Sequence, residues 1–177
     1  MTDSAAVLAY TAARRFSAPT CARWLRLEAG DQAALLQVAE RLRLGENQFR
    51  DFFDWAEEIA VRDRCAIKDV WGRAPVAGAL ARKLGRNEMV AAVKAALRQL
   101  RFPQLAAAES RLAQLVRQLQ LPHGVRVHLP EQLEGDEVRI ELRGRSAEAL
   151  RAGVAAVQQG LRRAELDEIF RLLEQAP

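Results

Sequence analysis

The chain has 177 residues, half of them hydrophobic and 28% charged, which describes a folded chain of one or two small domains rather than a disordered one. Cys21 and Cys65 are its only cysteines and lie far apart, so a disulfide framework and a four-thiolate zinc site are excluded. No apolar run reaches the ~20 residues that span a bilayer, and no basic n-region with an apolar stretch opens the chain, so a cytoplasmic protein without a membrane partner is expected. Lys and Arg total 27 against 23 Asp and Glu, a net charge of +4. Residues 1–81 hold 11 basic and 11 acidic side chains, residues 82–101 hold 6 and 1, and residues 102–177 hold 10 and 11. The whole excess therefore sits in one short segment, which is the first functional clue.

Helix signals run from the N-terminus to about residue 120. Residues 4–15 are Ala-rich and predict a helix that Pro19 interrupts. Thr20 is read as the cap of a short helix carrying Trp24, Leu25 and Leu27, which Gly30 ends, with Asp31 capping the next. Leu35, Val38, Ala39 and Leu42 form an apolar stripe at helical spacing. Phe49, Phe52, Phe53, Ala56, Ile59 and Ala60 form a second, and such stripes predict an orthogonal helical cluster. Gly72-Arg73-Ala74-Pro75 reads as a break, followed by helices at about 76–84 and 87–101. On the latter, Val90, Val93, Leu97 and Leu100 share one face and Lys94, Arg98 and Arg101 the other. Pro103 opens a helix striped by Leu105, Ala108, Leu112, Leu115 and Leu119.

Beyond Pro122 the period changes to two. Val125, Val127 and Leu129 alternate with Arg126 and His128, and Val138, Ile140 and Leu142 with Arg139, Glu141 and Arg143. Pro130 and Gly135-Asp136 mark the turn between two antiparallel strands. Ser146 caps a final helical stretch, with Glu148 favourably placed for its dipole. The expected fold is mainly α: an orthogonal helical cluster followed by a small α-β-β-α module with a two-stranded sheet. The expected divisions are a helical DNA-binding-like domain at 1–72, a basic helical connector at 73–104 and a dimerisation module at 105–177.

Catalytic patterns are missing from the sequence. The carboxylates Glu46, Asp51, Asp54, Glu57, Glu58 and Asp63 lack the histidines of a di-iron bundle and read as a solvated helix face. His123 and His128 share no helix face and no pattern completes a metal site around them. The glycines form neither phosphate-binding fingerprint, and no serine sits in a nucleophile elbow. No enzyme, cofactor or metal is expected.

Two stretches have helix-turn-helix spacing. In the first, Val38, Leu42, Leu44, Phe49 and Phe52 fall on the apolar anchor positions, Ala39 is the small contact residue, and Arg43 stands where Gly usually makes the turn. Its second helix would offer Asn47, Gln48 and Arg50, although Asp51 and Asp54 beside them would repel phosphates. In the second, Ala81 and Gly85 have the expected spacing and Arg86 replaces an anchor. Arg82, Lys83, Arg86, Lys94, Arg98 and Arg101 are the candidate phosphate contacts, with Lys94, Arg98 and Arg101 on one face.

The stretches Gly124-Val-Arg-Val, Gly135, Ile140 and Ser146-Ala-Glu-Ala-Leu150 resemble the C-terminal module of ParB-type partition proteins. Phe16-Ser-Ala-Pro-Thr-Cys-Ala-Arg-Trp-Leu25 is similar to the stretch near the end of that family's central DNA-binding domain, with Cys21 where the family pattern has His. The G-E-R-R-like motif of the family's nucleotide-binding domain does not occur here, so the resemblance carries no CTP chemistry. It implies a homodimer that binds DNA in chromosome partition, nucleoid-associated, with a partition ATPase as a further partner. Val125, Val127, Val138, Ile140 and Leu142 would then form the dimer interface. The alternatives are a dimerisation module without DNA binding and a helix-turn-helix transcriptional regulator.

Overall fold

The computed structural model describes residues 3–130 and 133–175. It divides into two compact units, one ending at Arg101 and the other beginning at Phe102. Among the described residues the fold is mainly helical with one small sheet.

Unit 1 runs α1 (Asp3–Ala13), α2 (Ala18–Leu25), α3 (Ala29–Leu42), α4 (Glu46–Asp63), α5 (Ile67–Gly72), α6 (Ala74–Ala81) and α7 (Arg86–Arg101). Both predicted stripes, on α3 and α4, are buried in one core. Its centre is aromatic. Trp24 is fully buried, with its ring centroid 4.3 Å from that of Phe49, and Tyr10 meets it edge-on at 6.2 Å. Such tilted and edge contacts add to the apolar area each ring buries.

Several boundaries differ from the sequence reading. Thr20 is not a cap: α2 begins at Ala18 behind Ser17, and the Thr20 hydroxyl reaches Glu46 on α4 instead. Gly30 ends nothing, since α2 stops at Leu25 and Gly30 lies in the first turn of α3. Asp31, in that same turn, accepts from the Lys68 N–H at 2.8 Å, tying α3 to α5. Three helices of unit 1 end instead at an arginine with positive φ: Arg15 after α1, Arg43 after α3 and Arg64 after α4. In each, the following N–H reaches back to close the last turn, as Leu44 does to the Ala39 carbonyl at 3.0 Å.

Residues 73–104 do not form a connector. Val76 and Ala79 of α6 and Val93, Ala96 and Leu97 of α7 are buried in the core of unit 1. The division between units falls at the end of α7, where Phe102 precedes a proline that opens the next helix.

Unit 2 runs α8 (Pro103–Gln118), β1 (Val125–His128), β2 (Arg139–Leu142), α9 (Ala147–Gly160) and α10 (Ala164–Glu174). The final helical stretch is thus two helices, with α10 packed on α8 through Leu112, Leu115, Ile169 and Leu173. The strands are antiparallel, with Val125 opposite Leu142 and Val127 opposite Ile140. Ser146 caps α9, as its sequence position predicts, accepting from the Ala149 N–H at 3.1 Å. Gly124 and Gly153 permit close approach. A Cβ on Gly124 would lie 2.4 Å from the Arg143 carbonyl oxygen, and one on Gly153 would lie 2.8 Å from Leu142 Cδ2.

Candidate nucleic-acid interface

The α3–turn–α4 segment is built as its spacing predicts. Ala39 and the anchors Val38, Leu42, Leu44, Phe49 and Phe52 are all buried. Arg43 makes the turn in the left-handed region at φ 50° and ψ 50°, a conformation that costs an L-residue but is the usual geometry of a helix C-terminus. Two side chains hydrogen-bond to carbonyls at the end of α3 and in the turn that follows it. The Tyr10 hydroxyl lies 2.8 Å from the Ala39 oxygen and 2.9 Å from that of Leu44, and burial pushes its phenol pKa up. Arg86 donates to the Leu42 and Arg43 carbonyls, each at 3.0 Å, and to Gln48 Oε1 at 3.1 Å.

Arg86 therefore joins the α6–α7 turn to the α3–α4 turn. Arg41 adds a second tie by donating to the Leu80 carbonyl at the end of α6. The result is a basic corner. Arg41, Arg43, Arg82, Lys83 and Arg86 are all exposed there, and neither Arg82 nor Lys83 has an ion-pair partner among the described residues.

The acidic groups beside the first turns of α4 are engaged elsewhere. Glu46 accepts from the Ser17 hydroxyl, from Thr20 Oγ1 at 2.5 Å and from the Ser17 N–H at 3.1 Å. The Ser17 and Thr20 hydroxyls hold its carboxyl below the usual range. Asp54 and Glu57 both pair with Arg23, whose guanidinium lies 4.3 Å from the Phe53 ring centre. Asp51 lies 3.6 Å from the Lys94 ammonium. Asn47, Gln48 and Arg50 are exposed, as the sequence predicts.

The basic face expected on α7 is largely turned onto α4. Lys94 faces Asp51 and lies 5.4 Å from the Trp55 ring centre. Arg101 pairs with Glu58 and lies 5.3 Å from the same ring. Arg98 is half-buried. From the opposite side, Arg62 donates to the carbonyls of Leu100 and Arg101 at 2.8 and 2.7 Å, where a cation suits the negative end of α7. The reason is the partner stripe. Two of the carboxylates read as a solvated face of α4, Asp51 and Glu58, lie within reach of α7, so opposite charges meet inside one unit.

Unit 2 rearranges the expected interface as well. Val125 is buried, and Val127 and Val138 pack on the cluster formed by α8 and α10. Ile140 is half-buried, and Leu142, at 38% exposure, touches α9 near Gly153. The apolar surface left open lies on α9 and its C-cap instead, where Leu150, Val154 and the capping residue Leu161 are 42%, 45% and 53% exposed. These residues stand at offsets 0, 4 and 11, one helix face. That periodicity is visible in the sequence, but periodicity alone does not say whether a stripe faces its own core. On the sheet, Glu141 lies between His128 at 2.9 Å and Arg143 at 2.8 Å, and the hydrogen bonds from these two side chains, Arg143 foremost, lower its carboxyl pKa.

Among the described residues no helix is long and apolar enough to cross a membrane. Compared with family models, with curated proteins and with solved structures, the chain matches none.

Proposed function

We propose that this is a non-catalytic DNA-binding protein that acts as a homodimer, as the ParB-type partition proteins it resembles do. The observation that carries the reading is the α3–turn–α4 segment. Its anchors are buried, the carboxylates near its second helix are paired, and its turn is flanked by exposed arginines. Helix-turn-helix proteins contact base edges with the N-terminal residues of the second helix, which here are Asn47, Gln48 and Arg50. Phosphate contacts fall to Arg41, Arg43, Arg82 and Lys83 in place of the α7 face. Self-association uses the face formed by Leu150 and Val154 of α9 with the C-cap residue Leu161, since a helix stripe of this kind buries against a copy of itself across a two-fold axis. The resemblance adds a cytoplasmic, nucleoid-associated setting and a partition ATPase as a further partner.

A salt titration of binding to a labelled random duplex tests this. About four phosphate contacts give a log–log slope of about −4. The double substitution R82E/K83E lowers affinity for all sequences alike and reduces the slope by about 2. Val154→Glu converts the dimer to a monomer in sedimentation. Dimerisation without DNA binding at low salt would instead make the chain an assembly module, and a monomeric wild type would remove the dimer.

A further inference from the structure

We propose that Arg86 fixes the side-chain amide of Gln48, and that Gln48 thereby reads hydrogen-bond acceptors on a base edge, the guanine O6/N7 side or thymine O4, instead of adenine. The proposal rests on the DNA-binding reading above and assigns it a specificity-determining residue.

Gln48 stands in the first turn of α4, exposed, two residues after Glu46. Its Oε1 lies 3.1 Å from Arg86 Nη2. A guanidinium only donates, so the amide must turn its oxygen toward Arg86 and its NH2 group away. Arg86 is itself held by the Leu42 and Arg43 carbonyls and by Asn87 Oδ1 at 3.2 Å. The orientation of the amide is therefore set before any ligand arrives. A free glutamine recognises adenine with oxygen and nitrogen side by side, accepting from N6 and donating to N7. With its oxygen turned onto Arg86, Gln48 presents its NH2 group outward, and a base edge meets donors first. Guanine presents two acceptors in the major groove and thymine one, whereas cytosine presents a donor and adenine sets its N6 donor beside its single acceptor N7, so that an outward NH2 group meets a like donor there. Arg86 is a positioning residue in this scheme and touches no base.

Duplexes selected from a random pool by the full chain provide the test. The wild type enriches G or T at one position, about tenfold over A and C. Gln48→Ala abolishes the preference at that position and leaves the others. Gln48→Glu keeps an oxygen on Arg86 and turns a second oxygen outward, so the preference reverses to C or A. This variant retains the tie to Arg86, so it decides the matter even where Arg86→Ala fails to fold. A folded Arg86→Ala, by freeing the oxygen, shifts the preference to A. Enrichment of A by the wild type, or an unchanged base choice in Gln48→Glu, overturns the proposal. Binding without any sequence preference also overturns it and leaves DNA binding standing. Absence of binding overturns both.

Discussion

Unit 1 and unit 2 differ in their cores and in the placing of their exposed apolar residues, which in unit 1 (Leu8, Val61 and Leu84) stand singly on α1, α4 and the α6–α7 turn. Unit 1 closes a core around Trp24, Phe49 and Phe53, and ties the surrounding helices with ion pairs on both sides of α4. Unit 2 has a small core of aliphatic residues between α8 and α10, and leaves Leu150, Val154, Leu161 and Phe170 exposed. The difference teaches where each unit is finished. Unit 1 spends its charges internally and exposes a basic corner. Unit 2 has apolar surface that still lacks a partner within its own fold, and a two-stranded sheet has little stability alone.

The largest expected effect separates the two cores directly. All three tryptophans (Trp24, Trp55 and Trp71) lie in unit 1, so tryptophan fluorescence reports that unit alone. Trp24→Ala removes a fully buried ring and leaves a cavity against Phe49, at a cost of about 3–5 kcal/mol. The fluorescence-detected denaturation midpoint falls sharply. A second transition, followed by circular dichroism and assigned to unit 2, stays in place. Equal displacement of both transitions would show that the units unfold together.

What could be read from the sequence follows the same division. The apolar stripes of α3 and α4 and the alternation of β1 and β2 were legible because burial imposes a period of its own on each element. The Ser146 cap was legible because its chemistry is local. The fate of Lys94 and Arg101 was not. Their spacing places them on one face, but whether that face meets water or Asp51 and Glu58 depends on how α7 lies against α4. The function of Arg86 was hidden for the same reason, since its partners Leu42, Arg43 and Gln48 are about 40 residues earlier. For Val125, Val127 and Val138 the apolar face was legible, but not that it is covered within the same unit.

Gly124 gives the next effect, and it sharpens the contrast from the side of unit 2. The Arg143 N–H donates to the Gly124 carbonyl at 2.7 Å, and the Arg143 carbonyl occupies the space a Cβ would need. Backbone cannot swing aside as a flexible side chain can. Gly124→Ala therefore displaces β1 from β2 and costs about 1–3 kcal/mol. The circular-dichroism transition moves and the tryptophan transition does not. Loss of dimer in the same variant would tie the strand pair to the α9 face. Retention of dimer would assign self-association to α9 alone.

The smallest expected effect concerns the helix ends of unit 1, where arginine stands in the left-handed position that glycine usually takes. Gly30 suggests a terminus and lies inside α3, while α1, α3 and α4 end on Arg15, Arg43 and Arg64. The left-handed conformation costs an L-residue about 1–2 kcal/mol, and glycine gives back about 0.5–1 kcal/mol of that relief in unfolded-chain entropy. Arg64, at φ 54°, is exposed and makes no side-chain hydrogen bond among the described residues. Arg64→Gly should therefore stabilise unit 1 by about 0.5 kcal/mol and raise the fluorescence midpoint slightly. Arg43→Gly relieves the same backbone strain at the basic corner but removes a cation from it. Its stability should rise as Arg64→Gly does while its affinity for DNA falls. If affinity is unchanged, the Arg43 side chain belongs to the turn alone, and phosphate contact rests on Arg41, Arg82 and Lys83.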